Sequence, residues 1–129
     1  MDNNILILNN ESIRDKIENN DFDNIENWDI SDVTNMSRLF CGCYNFNKDL
    51  SNWDVSKVSD MESMFSNCQN FNQDIGNWNV ANVTSMRCMF YSCKNFNQDI
   101  RNWDVSNVTI WNLCFQDVKI LIKILEIGI

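Results

Sequence analysis

The sequence predicts an α/β solenoid of about four 25-residue coils, each a short parallel strand followed by a short helix, with a capping helix at the N-terminal end. Three observations predict it. Trp28, Trp53, Trp78 and Trp103 recur every 25 residues, and a fixed period in this range marks a repeat architecture. Within a unit, Val83, Met86, Met89, Phe90 and Cys93 fall at helical or 3₁₀ steps. Between Phe71 and Val80 the apolar residues are sparse and separated by polar ones, which suits a short strand with a turn on either side. The chain then divides into a capping segment over 1–20, repeats over 21–117 and a divergent apolar tail over 118–129.

The capping segment reads as a short helix over 11–19. Asn10 is placed to cap it, Glu11 suits its positive end, and Ile13 and Ile17 share one face. Nine residues are marginal alone, so the helix needs a surface to dock on. The end of a repeat stack exposes apolar faces and supplies one.

The repeats are best taken by columns. Ile25, Leu50, Ile75 and Ile100 form one, and the Trp column follows three residues later. Then come Ile30, Val55, Val80, Val105 and Val33, Val58, Val83, Val108. Met36, Met61, Met86 and Trp111 follow, then Leu39, Met64, Met89 and Cys114. The Phe column is Phe40, Phe65, Phe90 and Phe115, and the Cys column is Cys43, Cys68 and Cys93, with Val118 in the last slot. Phe46, Phe71 and Phe96 close the unit, and Phe22 fills that place in a first copy one residue shorter. The strand is expected around Asp74 to Trp78 and the helix around Met86 to Cys93. A stacked aromatic ring buries roughly 150–250 Å², worth ~4–6 kcal/mol gross before conformational entropy is subtracted. Such a gain comes only when coils stack.

Composition narrows the function. The 129 residues suffice for one domain, 44% are hydrophobic and the formal net charge is −8. An acidic chain is poorly suited to nucleic acid, whose phosphates call for Lys and Arg, or to an anionic membrane surface. There is no proline and there are three glycines, so the turns must rest on Asn, Asp and Ser. Met1 to Leu8 has no basic start and an apolar run of only four residues, too short for a signal peptide. No stretch approaches the ~20 apolar residues of a membrane span. The expectation is therefore a chain without membrane insertion, intracellular by default.

Catalytic chemistry is not visible. The chain has no His, which removes the commonest general base and the His-activated nucleophiles. No glycine-rich phosphate loop is present. Cys43, Cys68 and Cys93 read as buried small hydrophobes. Cys41, Cys88 and Cys114 lie off that column and read as free thiols. A disulfide is a minor alternative, since stacking would set equivalent cysteines of adjacent coils near bridging distance, but the intracellular default keeps thiols reduced. Cys41-x-Cys43 with scattered single cysteines lacks the paired spacing of a zinc site. Asp49, Asp74 and Asp99 form one acidic column, and Asp29, Asp54 and Asp104 another, with Asn79 interrupting it. Stacked carboxylates can bind calcium; the favoured expectation is that they bond turn amides or face solvent. The asparagine columns, such as Asn27, Asn52, Asn77, Asn102, are expected to form hydrogen-bonded ladders between coils. Neither a metal nor a cofactor is expected.

The run Asn-Trp-Asp-Val-Ser-Asn-Val-Thr, followed by Met-Phe and Cys, resembles the BspA-like leucine-rich-repeat surface proteins. Their 25-residue units also occur in mycoplasma surface lipoproteins and in giant viruses. The resemblance covers about residues 11–117. It implies a leucine-rich-repeat-like solenoid and a role in adhesion or protein binding, often at the cell surface, and it carries over no catalytic residue.

The tail from Val118 to Ile129 leaves the repeat. Its sequence is reproduced when the expected next repeat, Cys-Lys-Asn-Phe-Asn-Gln-Asp-Ile-Arg-Asn-Trp-Asp, is encoded with suitable synonymous codons and read one nucleotide out of frame. The tail is thus read as a frameshifted repeat, produced by a one-nucleotide deletion near the Asp117 codon of a longer array. Leu121 and Leu125 fall on the Phe and Ile columns, and Gly128 falls where Trp belongs.

The functional expectation is a non-catalytic module for protein–protein interaction or adhesion. Its partner is a protein that the sequence does not name, and its binding surface is the strand face carrying Lys48, Gln73 and Gln98. The alternative is a truncated remnant of a longer array with no independent function.

Overall fold

A computed structural model of the chain describes residues 4–118. The tail apart from Val118, including the placements expected for Leu121, Leu125 and Gly128, lies outside the described residues.

The strand-plus-helix solenoid does not form. Among the described residues there is one α-helix, α1 (Asn10–Glu18), and one 3₁₀ turn, Ile25–Asn27. The pairing is limited to isolated parallel bridges, Ile7 with Asp29 and then Asn35, Asp60, Ser85 and Ile110 in succession. No sheet is built. The rest is a succession of turns and bends.

The segment expected to be helical shows why. Met61, Ser63, Phe65 and Asn67 donate their N–H groups to the carbonyls of Ser85, Arg87, Met89 and Tyr91, at 3.0, 2.8, 2.9 and 2.7 Å. The intervening Met64, Ser66 and Cys68 donate instead to the carbonyls three residues back, Met61, Ser63 and Phe65. The same alternation joins Met36–Gly42 to Asp60–Ser66, and Met86–Ser92 to Ile110–Gln116. An α-helix satisfies every interior amide within itself. Here every second amide is turned outward to the next layer of chain. Left-handed residues do the turning: Arg38, Ser63, Cys88 and Leu113 have φ of 60, 55, 55 and 59°, and four residues later Gly42, Asn67, Ser92 and Asp117 have 78, 61, 56 and 59°. The three-to-four-residue apolar spacing is compatible with either arrangement, so periodicity alone did not separate them.

The expected strand fails for a different reason. Asp74 Oδ1 accepts the N–H of Gly76 at 2.9 Å, and the N–H of Trp78 closes onto Ile75 O at 3.1 Å. Both bonds fold the segment into a turn, as Asx residues do when they compete with extended pairing.

Side chains follow the same offset as the backbone. Phe40, Phe65, Phe90 and Phe115 stack with ring centroids 5.6, 5.8 and 5.7 Å apart. Phe46, Phe71 and Phe96 stack at 6.0 and 5.8 Å, and Trp78 lies on Trp103 at 6.4 Å with an interplanar angle of 2°. Trp28, Trp53, Trp78 and Trp103 are all buried, as are Met36, Met61 and Met86. The core is thus a set of apolar columns running through the layers.

Helix α1 seals the first layer. Its cap is Asn9 rather than Asn10: Asn9 Oδ1 accepts from the N–H groups of Glu11 and Ser12, and Ser12 Oγ accepts the N–H of Asn9. Asn10 is freed to reach the adjoining layer, where its Oδ1 accepts the N–H groups of Thr34 and Asn35. Arg14 donates to the carbonyls of Ser37 and Asn35, and Ile13 and Ile17 are buried.

Arg38 tests the left-handed turns, because its side chain is exposed while its φ is 60°. Arg38→Gly should hold or raise stability by up to about 1 kcal/mol, and Arg38→Val should lower it by about 1–2 kcal/mol. Denaturant titration of the two variants would measure the difference. Equal stabilities would contradict a left-handed residue here.

Candidate interaction surface

The expected binding residues occupy equivalent places in three layers, but not on a strand. Gln73 Nε2 donates to Asn47 O and Oδ1 at 3.0 and 3.1 Å. Gln98 Nε2 donates to Asn72 O and Oδ1, both at 3.0 Å. Both side chains are half-buried, so these two amides already bond between layers. Lys48, in the equivalent place one layer earlier, is exposed and has no ion-pair partner among the described residues.

Asparagine columns do bond between layers, but not the column named as the example. Asn27, Asn52, Asn77 and Asn102 are exposed. The ladder passes instead through Asn45, Asn70 and Asn95, whose amides bond at 3.2 and 3.4 Å. Beside it, Asn47 Oδ1 accepts the N–H of Asn72, and Asn72 Oδ1 accepts that of Asn97, each at 2.9 Å.

The structural columns bond layer to layer as well. The indole N–H groups of Trp53, Trp78 and Trp103 donate to the carbonyls of Ile25, Leu50 and Ile75 at 2.8, 3.0 and 2.9 Å. Trp28 turns to Asp23 O of its own layer instead. Cys68 and Cys93 donate their thiols to Phe40 O and Phe65 O. Burial pushes the Cys93 thiol up to about 12 and raises Cys43, Cys68 and Cys114 as well, because a buried thiolate is poorly solvated. These thiols are therefore poor nucleophiles. Cys114, read from sequence as a free thiol off the Cys column, is buried, whereas Cys41 is exposed and all six cysteines are unbridged.

The acidic columns hold turns. Asp29, Asp54 and Asp104 each accept both the N–H and the hydroxyl of the serine two residues on, Ser31, Ser56 and Ser106. Asp49 accepts the N–H of Ser51, and Asn79 that of Ala81. The serine hydroxyl, and then the serine amide, holds the carboxyls of Asp29, Asp49, Asp54 and Asp104 below the usual range. Among the described residues no three His, Cys, Asp or Glu side chains converge on a metal-sized site, and no helix is long and apolar enough to cross a membrane.

Numbering the layers by Phe22, Phe46, Phe71 and Phe96 as first to fourth, a cleft of about 340 Å³ opens between the first and second. Asn20 and Phe22 line one side, and residues 42–48, including Tyr44 and Lys48, line the other. It lies where the first copy is one residue short, Phe22 preceding Ile25 by three residues where Phe46 precedes Leu50 by four. Phe22 meets Phe46 edge-on at 60°, where Phe46 and Phe71 lie at 16°. Asp21, in the place of Asn45, is drawn to Lys16 at 2.7 Å. The cleft was not anticipated from the sequence, although its signal, the missing residue after Phe22, is visible there.

Together these features define a stack of turn-built layers with aromatic columns inside and a polar, acidic exterior. The chain belongs to the family described as Mycoplasma protein of unknown function, DUF285, whose model matches residues 10–126. No curated protein and no solved structure matches the chain.

The acidic turns carry a pH dependence. A carboxyl whose folded pKa lies below its unfolded value, about 3.9 for Asp, contributes stability above that value and loses it as pH falls through the folded pKa. The melting temperature should therefore fall below about pH 4. Asp54→Asn should flatten part of that acid limb while keeping the turn, since Asn79 already bonds the Ala81 amide. Thermal melts from pH 7 to pH 2 would check this; an unchanged acid slope in the variant would contradict it.

Proposed function

We propose that the chain is a non-catalytic module for protein–protein interaction, acting in adhesion or in a related binding role. The reading is supported above all by the pre-organised column of Lys48, Gln73 and Gln98. The interlayer bonds of Gln73 and Gln98 hold that surface in place, so a partner meets little ordering cost on docking. The resemblance of the Asn-Trp-Asp-Val-Ser-Asn-Val-Thr run to BspA-like surface proteins supports the adhesion role. The absence of His from the sequence and the use of the acidic columns as turn anchors support a non-catalytic role.

Affinity capture from the source cell, with the purified chain and its Lys48→Glu variant as baits, tests the proposal. A protein retained by the native chain and lost, by about tenfold or more, from an equally stable Lys48→Glu variant is the expected result. No retained protein, or equal retention on both baits, would overturn it.

A further inference from the structure

Two cysteines two residues apart stand uncovered at one end of the stack, and the following layers show how unusual that place is. Cys41, Gly42 and Cys43 occupy the positions of Ser66, Asn67 and Cys68, and then of Tyr91, Ser92 and Cys93. Ser66, Cys68 and Cys93 are buried, and the two thiols donate to Phe40 O and Phe65 O of the layer before. Helix α1 bonds its neighbouring layer at Thr34, Asn35 and Ser37, and Met36, Leu39 and Phe40 beside those contacts are buried. Past Phe40 the surface opens. Cys41 and Gly42 are exposed, and Cys43 is half-buried on the wall of the cleft. Nothing lies within 4 Å of the point where a Gly42 Cβ would stand. Of the three cysteines in its column, Cys43 is the one that is not buried. The equivalents of Cys41 are Ser66, Tyr91 and Gln116. A Cys-x-Cys pair thus occurs once in the chain, at the place where both thiols are reachable.

We propose that Cys41 and Cys43 form a dithiol–disulfide site that exchanges with a small-molecule disulfide of the glutathione class. Cα atoms two residues apart are separated by at most roughly 7 Å in extended chain. The turn closed by Cys43 N–H on Phe40 O shortens that step toward the ~4.4–6.8 Å that a disulfide spans. The exposed Cys41 thiolate attacks one sulfur of the substrate. A mixed disulfide forms on Cys41, and one substrate thiolate leaves and takes up a proton. The Cys43 thiol then gives up its proton and attacks Cys41 Sγ. The Cys41–Cys43 disulfide forms as the second substrate thiolate leaves and is protonated. The two cysteines are oxidised, and the substrate disulfide is reduced to two thiols. The order follows from exposure: burial, and then the neighbouring Cys41, raise the Cys43 thiol, which makes it the poorer first nucleophile. Its attack on Cys41 is intramolecular, and proximity offsets that handicap. The exchange is stoichiometric and does not rest on reading the chain as an interaction module.

The test equilibrates the full-length chain in buffers of oxidised and reduced glutathione, alkylates the remaining thiols after unfolding, and maps the tryptic peptides by mass. Cleavage after Arg38 and Lys48 releases the peptide 39–48, which holds Cys41 and Cys43 and no other cysteine. The expected result is a native peptide lighter by two hydrogens as the oxidised fraction rises, with Cys68 and Cys93 still alkylated. Cys43→Ser should instead keep glutathione on Cys41, at about tenfold or more the level in the native chain. Cys41→Ser should leave the peptide without either product. A native peptide that stays reduced would overturn the proposal. So would a mixed disulfide as abundant in the native chain as in Cys43→Ser, or a bridge from Cys43 to Cys68. If Cys43→Ser does not fold, the native map alone decides: the two-hydrogen loss supports the site and its absence overturns it.

Discussion

The hydrogen bonds that alternate amides make between layers are the constraint on which the rest of the structure depends. The stretches 36–42, 61–67 and 86–92 send every second N–H to a carbonyl of the layer that follows, and the amides between them close onto carbonyls three residues back. Two left-handed residues per layer make this alternation geometrically available. Once it is in place, each side chain lies over its counterpart 25 positions away. The Phe, Trp and Met columns become the core as a consequence.

The side chains then extend the backbone's pattern. The indoles of Trp53, Trp78 and Trp103, the thiols of Cys68 and Cys93 and the amides of Gln73 and Gln98 donate to carbonyls of the preceding layer. Asparagines at 45, 47, 70 and 72 serve as acceptors for the layer after. Among the described residues each layer satisfies part of its own polar groups and bonds its neighbours with the rest, so every layer depends on its neighbours. Where the first copy departs from the pattern, being a residue short, Asn45 and Asn47 make no bond to the preceding layer and face solvent.

Much of the core was legible in the sequence, because burial follows from column position. Trp, Phe, Met and Cys recurring at one offset identify which side chains stack. The local backbone was not legible. Arg38, Ser63, Cys88 and Leu113 occupy the left-handed positions, and none is a residue type that announces such a conformation, as glycine does. A three-to-four-residue spacing of apolar groups then reads as a helix. The expected strand failed because Asp74 and its equivalents spend their side chains on local turns. The surface face was only partly legible: Lys48, Gln73 and Gln98 do share a column, but which asparagines form the ladder depends on turn geometry that composition does not record.

Through-hydrogen-bond scalar couplings across the middle layers test the central claim most directly. The account predicts couplings from the amides of Met61, Ser63, Phe65 and Asn67 to the carbonyls of Ser85, Arg87, Met89 and Tyr91. Couplings from the amides of residues 64–68 to carbonyls four residues earlier would show a helix there and contradict it.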